Sequence, residues 1–389
     1  MRACRKLEQL GEKLKLKGSC ELDGGNCDLW SRIEKLEKTP YHEVRINGLE
    51  NATHLEGEGS EQAKILSNNS KLTRLILLWE HAGCSSLVGL ADKSVMEKLV
   101  PPRSLQHLGI SGYMSIDFPR WLLDIPSYIP YLTTIFLVGV KGCNHLPQLG
   151  RLPNLRALGL AKMPNITSVG REFYGNYGNC QKLRMIALNS MDNLEEWWTT
   201  RSSNEDGEFL IPNLHQLGVA DCPKLKFLPY PPRSVTWMVG NSDHVLPERG
   251  FGNLSSTTSP FFLVIGGALP SSEMWRRARY LSSIEGLQLN TITGLRTLPE
   301  AIRGFTNLRK LDILLCADLE RLPEWLGDFT SLRKIRIDGC PKLSSLPKRI
   351  RRLNELELRI IDCPALENWQ GQDRGEIAHS ISQVSYPSS

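Results

Sequence analysis

Cys20 and Cys27 are the closest pair among ten cysteines, with six residues between them, no C-x-x-C and no histidine pair at ligand spacing nearby. Free thiols are therefore expected, not a zinc site. H-E-x-x-H, G-x-S-x-G and the dinucleotide-binding glycine fingerprint do not occur. No catalytic, cofactor-binding or metal residue can be named, and no enzyme is expected. Glu195-Glu196, beside Trp197-Trp198, reads as solvated surface in preference to acid–base machinery. One set of charges does follow a positional rule. Lys310 and Asp312, then Lys334, Arg336 and Asp338, then Glu357 and Arg359 alternate with Leu311, Ile313, Ile335, Ile337 and Leu358. Alternation puts the charges on one face of extended backbone and the aliphatic side chains on the other. The chemistry open to such a face is electrostatic recognition, and these residues form the candidate partner-binding set. Mutual pairing of the same charges across strands, as a solubilising face, is the alternative.

The elements that must present them repeat. Leu-Pro recurs at Leu298-Pro299, Leu322-Pro323 and Leu346-Pro347, a step of 24 residues. Cys316, Cys340 and Cys363 follow, and L-x-x-L-x-L lies between, as Leu308/Leu311/Ile313 and Leu332/Ile335/Ile337. A fixed period of this length with that core marks a leucine-rich repeat. One repeat cannot bury so much leucine alone, whereas stacked neighbours can. The expected fold is an α/β solenoid. It is a leucine-rich-repeat horseshoe with a parallel β-sheet on the concave face and irregular turns or short helices on the convex face. The cysteines at positions 222, 316, 340 and 363 enter its core as small apolar side chains.

Earlier inward pairs are placed at Leu75/Leu77, Leu108/Ile110, Ile135/Leu137, Leu158/Leu160, Ile186/Leu188 and Leu217/Val219. Before them, strands are expected at 13–16 and 44–46 and short helices at 29–36 and 61–66, as degenerate repeats. After Leu217 the pattern falters. A strand around Val235 and Met238 and another over Leu263 to Ile265 restore a step of about 24 residues up to Leu287. In the last repeat, counting from Cys363 turns Leu358 and Ile360 inward and keeps Arg359 out of the core, where an unpaired charge is costly. The segments are then a divergent N-terminal cap at 1–70, repeats at 71–240, an irregular joint with a loop at 241–281, regular repeats at 282–370 and a polar tail at 371–389. The tryptophan groups at 121 and 197–198 are expected to cover the convex side.

The net charge of +5, from 47 Lys+Arg against 42 Asp+Glu, is too balanced to imply nucleic acid. Basic clusters at Lys348-Arg349-Ile350-Arg351-Arg352 and Arg276-Arg277-Ala278-Arg279 leave a nucleic-acid-associated scaffold as a lesser alternative. No stretch is apolar enough to span a membrane. The N-terminus lacks the apolar run of a signal peptide, so a cytoplasmic or nuclear location is expected.

Four segments carry a family resemblance: FPRWL at 118–122, HLPQLGRLPNLRALGLAKMPNITSVGREFYG at 145–175, DCPKLKFLP at 221–229 and CPALENWQGQDRGEIAH at 363–379. Together the chain resembles, from about Val44 onward, the leucine-rich-repeat region of plant nucleotide-binding disease-resistance receptors of the coiled-coil class. The resemblance implies a non-enzymatic protein-recognition module of innate immunity. Its partner would be a pathogen effector, a guarded host protein or a nucleotide-binding receptor module. The sequence lacks the G-x-x-x-x-G-K-[ST] phosphate loop of that family and has no heptads before the repeats. No nucleotide cofactor is therefore expected, and a repeat region acting in trans, or a non-functional fragment, is the alternative.

Overall fold

The computed structural model describes residues 19–23, 41–52, 66–80, 88–175, 180–201, 209–232, 234–246, 261–278, 281, 283–353 and 355–367. The chain divides into two compact units at Arg233/Ser234. The strand expected at 13–16, the helix at 29–36, all but Leu66 of the helix at 61–66, most of the joint loop and the polar tail lie outside the described residues.

The first unit is a ladder of parallel strands in chain order. They are β1 (Ser19–Asp23), β2 (Glu43–Asn47), β3 (Arg74–Leu78), β4 (His107–Ser111), β5 (Thr134–Val138), β6 (Ala157–Ala161), β7 (Met185–Asn189) and β8 (Gln216–Ala220). Their registers bring identical repeat positions side by side. Leu75, Leu108, Ile135, Leu158, Ile186 and Leu217 form one inward column. None of them is more than 1% exposed. Each fully buried aliphatic side chain contributes about 1.5–3 kcal/mol, which is why the alternation holds this register against a one-residue slip. The ladder continues one residue upstream, where the amides of Gln106, Thr133, Arg156, Arg184 and His215 donate to the preceding repeat's carbonyls. Asn154, Asn165, Asn193 and Asn213 also donate side-chain bonds to carbonyls of the repeat before. Leaving the strands, the chain turns sharply through left-handed residues at Gly112, Gly139, Lys162, Ser190 and Asp221.

Behind this sheet, Trp121 and Trp197 pack inward, while Trp198 stays half-buried against the Arg171 guanidinium. Trp121 is 1% exposed and donates to the Met96 carbonyl at 2.8 Å, tying its turn to helix α1 (Val88–Lys98). Trp197 is buried against Phe173 and donates to the Tyr174 hydroxyl at 2.8 Å. Glu196–Trp198 is itself a strand, paired in parallel with Ser168–Val169 and Lys226–Leu228 in a second, short sheet. The sequence pattern hides this sheet, because its strands are only two or three residues long.

The second unit is a parallel ladder of β9 (Thr236–Gly240), β10 (Phe261–Gly267), β11 (Ile284–Ile292), β12 (Lys310–Leu314), β13 (Lys334–Asp338) and β14 (Glu357–Ile361). The irregular region does carry the restoring strand, with Leu263 and Ile265 fully buried. Around position 238 the expectation is corrected. Trp237 and Val239 are the inward pair, and Met238 faces outward at intermediate exposure. An indole fills the place that leucine takes elsewhere, so a search for leucine spacing lands one residue off. In β14, Leu358 is buried and Arg359 exposed, while Ile360 is only half-buried.

Each of the three Leu-Pro steps at the 24-residue spacing starts a 3-10 turn. Pro299, Pro323 and Pro347 hold φ of −63°, −75° and −67° immediately before Glu300–Gly304, Glu324–Asp328 and Lys348–Arg352. Ile302, Leu326 and Ile350 plug the back of the core from those turns. The core thiols follow the repeat. Burial pushes up the Cys316 thiol. The neighbouring Cys363 thiol, with burial added, holds Cys340 well above the ordinary thiol range. Such groups are protonated, poorly nucleophilic packing atoms at neutral pH.

Arg276 and Arg277 belong to helix α2 (Ser272–Ala278) and form no open basic patch. Arg277 is 7% exposed, donates to Glu273 at 2.7 Å and to the Leu246 carbonyl at 3.1 Å. Hydrogen bonds from Arg276 and Arg277 hold the Glu273 carboxyl down at about 2, against 4.5 unperturbed. A carboxyl depressed on folding stabilises the fold fully above its unfolded pKa and loses that contribution as pH falls through its folded one. The difference in thermal midpoint between the native chain and Glu273→Gln should therefore be constant above pH 4.5 and close towards pH 2. A gap that persists unchanged at pH 2 would show that these hydrogen bonds do not form.

Candidate partner-binding face

The outward positions of β12, β13 and β14 carry the predicted charges, and the register aligns them in three rows. Lys310, Lys334 and Glu357 share one row, and Asp312, Arg336 and Arg359 the next, with Leu314, Asp338 and Ile361 in the third. All seven predicted residues thus lie on one open face of the sheet.

Much of that charge is matched internally. Lys310 Nζ lies 2.9 Å from Asp312 Oδ2 along its own strand. Lys334 Nζ donates to Glu357 Oε1 across strands at 2.7 Å. Arg336 Nη2 donates to Asp338 Oδ2 at 2.7 Å. Half-exposed pairs of this kind are worth at most about 1 kcal/mol each. Asp312 differs from the expectation of an accessible carboxylate: its side chain is 9% exposed, shielded on an otherwise open face. Its Oδ1 and the Arg336 Nε are buried with no hydrogen-bond partner. Leaving a buried polar atom unsatisfied costs about 1–3 kcal/mol. Arg359 stands exposed beside Arg336 and has no ion pair among the described residues.

Sequence reasoning missed the flank of this face. The row of Asp312 and Arg336 runs on through Gln288, Val264 and Met238. In the neighbouring row, the Phe262 ring lies over Gly286, in the space that a Cβ there would fill. The signal available was the 24-residue step back from Asp312, which lands on Gln288 and then Val264. The basic cluster at 348–352 is also engaged. Arg349 and Arg352 approach Asp328 at 3.6 and 3.7 Å, and Glu324 accepts the Lys348 and Arg349 amides at 3.0 Å. Among the described residues, no group of acidic, histidine and cysteine side chains could hold a metal ion, and no helix is long and apolar enough to cross a membrane.

A family model for R13L1/DRL21 leucine-rich repeats matches residues 31–163. A putative disease resistance RPP13-like protein 1 of Arabidopsis thaliana is 34% identical over 142 residues, 34% of this chain and 13% of that relative. The chain is a stack of leucine-rich repeats, similar over part of its length to the repeats of plant disease-resistance proteins. The putative disease resistance protein At3g14460, also of Arabidopsis thaliana, is 30% identical over 166 residues, 40% of this chain and 11% of that protein. The repeat region thus spans only a small part of these relatives. Among solved structures, the leucine-rich repeat domain of the type III effector XCV3220 (XopL) is similar at a TM-score of 0.31 and 16% identity, over 92% of this chain and 95% of that one.

Proposed function

We propose that this repeat region is a protein-recognition module of plant defence, working in the cytoplasm through the open face of its second unit. The observation that carries the reading is the concentration of four cations and three carboxylates on three neighbouring strands, against an aliphatic core on their other face. A repeat stack offers a rigid, extended surface for a partner, and charge of both signs supplies specificity and fast encounter more than affinity. The partner is a pathogen effector, a guarded host protein or a nucleotide-binding receptor module. The similarity to disease-resistance proteins supports the setting. The test is a pairwise interaction screen of the full chain against effector and host proteins, followed by charge reversal at Arg336 and Arg359 together. Affinity for a partner so found should fall at least about tenfold. Unchanged affinity would remove the open face from the mechanism.

A further inference from the structure

The outward rows of the second unit are asymmetric. All three carboxylates of the charged set are engaged by Lys310, Lys334 and Arg336, which leaves Arg359 as an excess cation. Arg359 sits directly opposite Arg336 in the strand pairing, and like charges in that position repel. Arg336 also keeps a buried Nε with no acceptor, next to the unsatisfied Oδ1 of the nine-tenths-buried Asp312. An added carboxylate on the exposed Arg359 guanidinium would relieve the repulsion. At the other end of the same row the surface is apolar, with Val264 beside the Phe262 ring.

We infer, resting on the recognition reading above, that this face selects an extended segment of a partner protein bearing an acidic side chain and an apolar one at fixed separation. The carboxylate sits on Arg336 and Arg359, and the apolar group on Val264 and Phe262. Val264 and Arg336 are three strands apart. That is about 14 Å at the usual strand spacing, the reach of roughly four residues of extended chain. The preferred motif is therefore an apolar residue and an Asp or Glu about four positions apart.

The probe is a phage-displayed library of random twelve-residue peptides panned on the full chain at low salt. Recovered peptides should share that spacing, and a synthetic consensus peptide should bind. Exchanging its acidic residue for the amide should weaken binding about tenfold. Arg359→Gln in the protein should weaken it as well, and the two changes combined should cost less than the sum of the two alone, because both remove the Arg359 contact. Arg359 is exposed on β14, so this variant should keep the native circular dichroism, and Arg336→Gln serves as the second variant. Recovery of no peptide, or of acidic peptides indifferent to both arginine variants, would overturn the inference. Peptides without acidic preference that are lost on Phe262→Ser would overturn it while leaving recognition by this face intact. Peptides indifferent to all three substitutions would overturn both.

Discussion

Ile337→Ala should lower the stability of the second unit by about 3 kcal/mol, while Arg336→Ala, one residue earlier, should cost no more than about 1 kcal/mol. Ile337 is fully buried and lies in register between Ile313 and Ile360. Truncation opens a cavity between stacked repeats that neither neighbour can refill without moving its own strand. In a linear array each repeat is held by its neighbours, so the loss weakens the interface on both sides. Arg336 gives up only a half-exposed ion pair. Urea denaturation of the two variants checks the contrast, read from the midpoints at constant slope. Equal losses would mean that the strand does not face the core as described.

Gly112→Ala should cost about 3 kcal/mol or more, and Gly139→Ala only about 1–2 kcal/mol. Both glycines adopt left-handed backbone, at φ +81° and +63°. Both substitutions therefore carry the conformational penalty of an L side chain in that region. They differ in space. A Cβ at Gly112 would run into the Trp79 carbonyl oxygen, whereas one at Gly139 meets nothing closer than the Gly112 amide at 3.6 Å. The Trp79 amide is itself held by the Ser111 carbonyl at 2.9 Å, so the obstructing backbone cannot step aside. Thermal midpoints of the two alanine variants measure the difference. Similar midpoints would show that backbone strain alone sets the cost at both turns.

Where leucine, isoleucine and cysteine recur at a regular step, residue types alone locate the strands, because only one phase buries them all. Leu311/Ile313 and Ile335/Ile337 follow that logic, and so do the core thiols of Cys316 and Cys340, fully buried. Where an aromatic takes the place of leucine, the logic slips, as it did at Trp237. It also says nothing about pieces too short to show a period, such as the Glu196–Trp198 strand behind the first sheet. The face bearing the candidate site could be read from alternation. Its apolar flank at Phe262 and Val264 could not, since that flank depends on β10 falling into register beside β11.

Residue order was enough to dictate a stack of parallel strands and to sort Lys310, Asp312, Lys334, Arg336, Asp338, Glu357 and Arg359 onto its open side. The reason is that burial of aliphatic surface is periodic and additive along the chain. Which of those charges are spent on one another was decided in three dimensions. Ion pairing depends on how far side chains reach along and across neighbouring strands, a matter of ångströms that no repeat period encodes. That reach joins Lys334 to Glu357, shields Asp312 and leaves Arg359 facing solvent beside a second arginine.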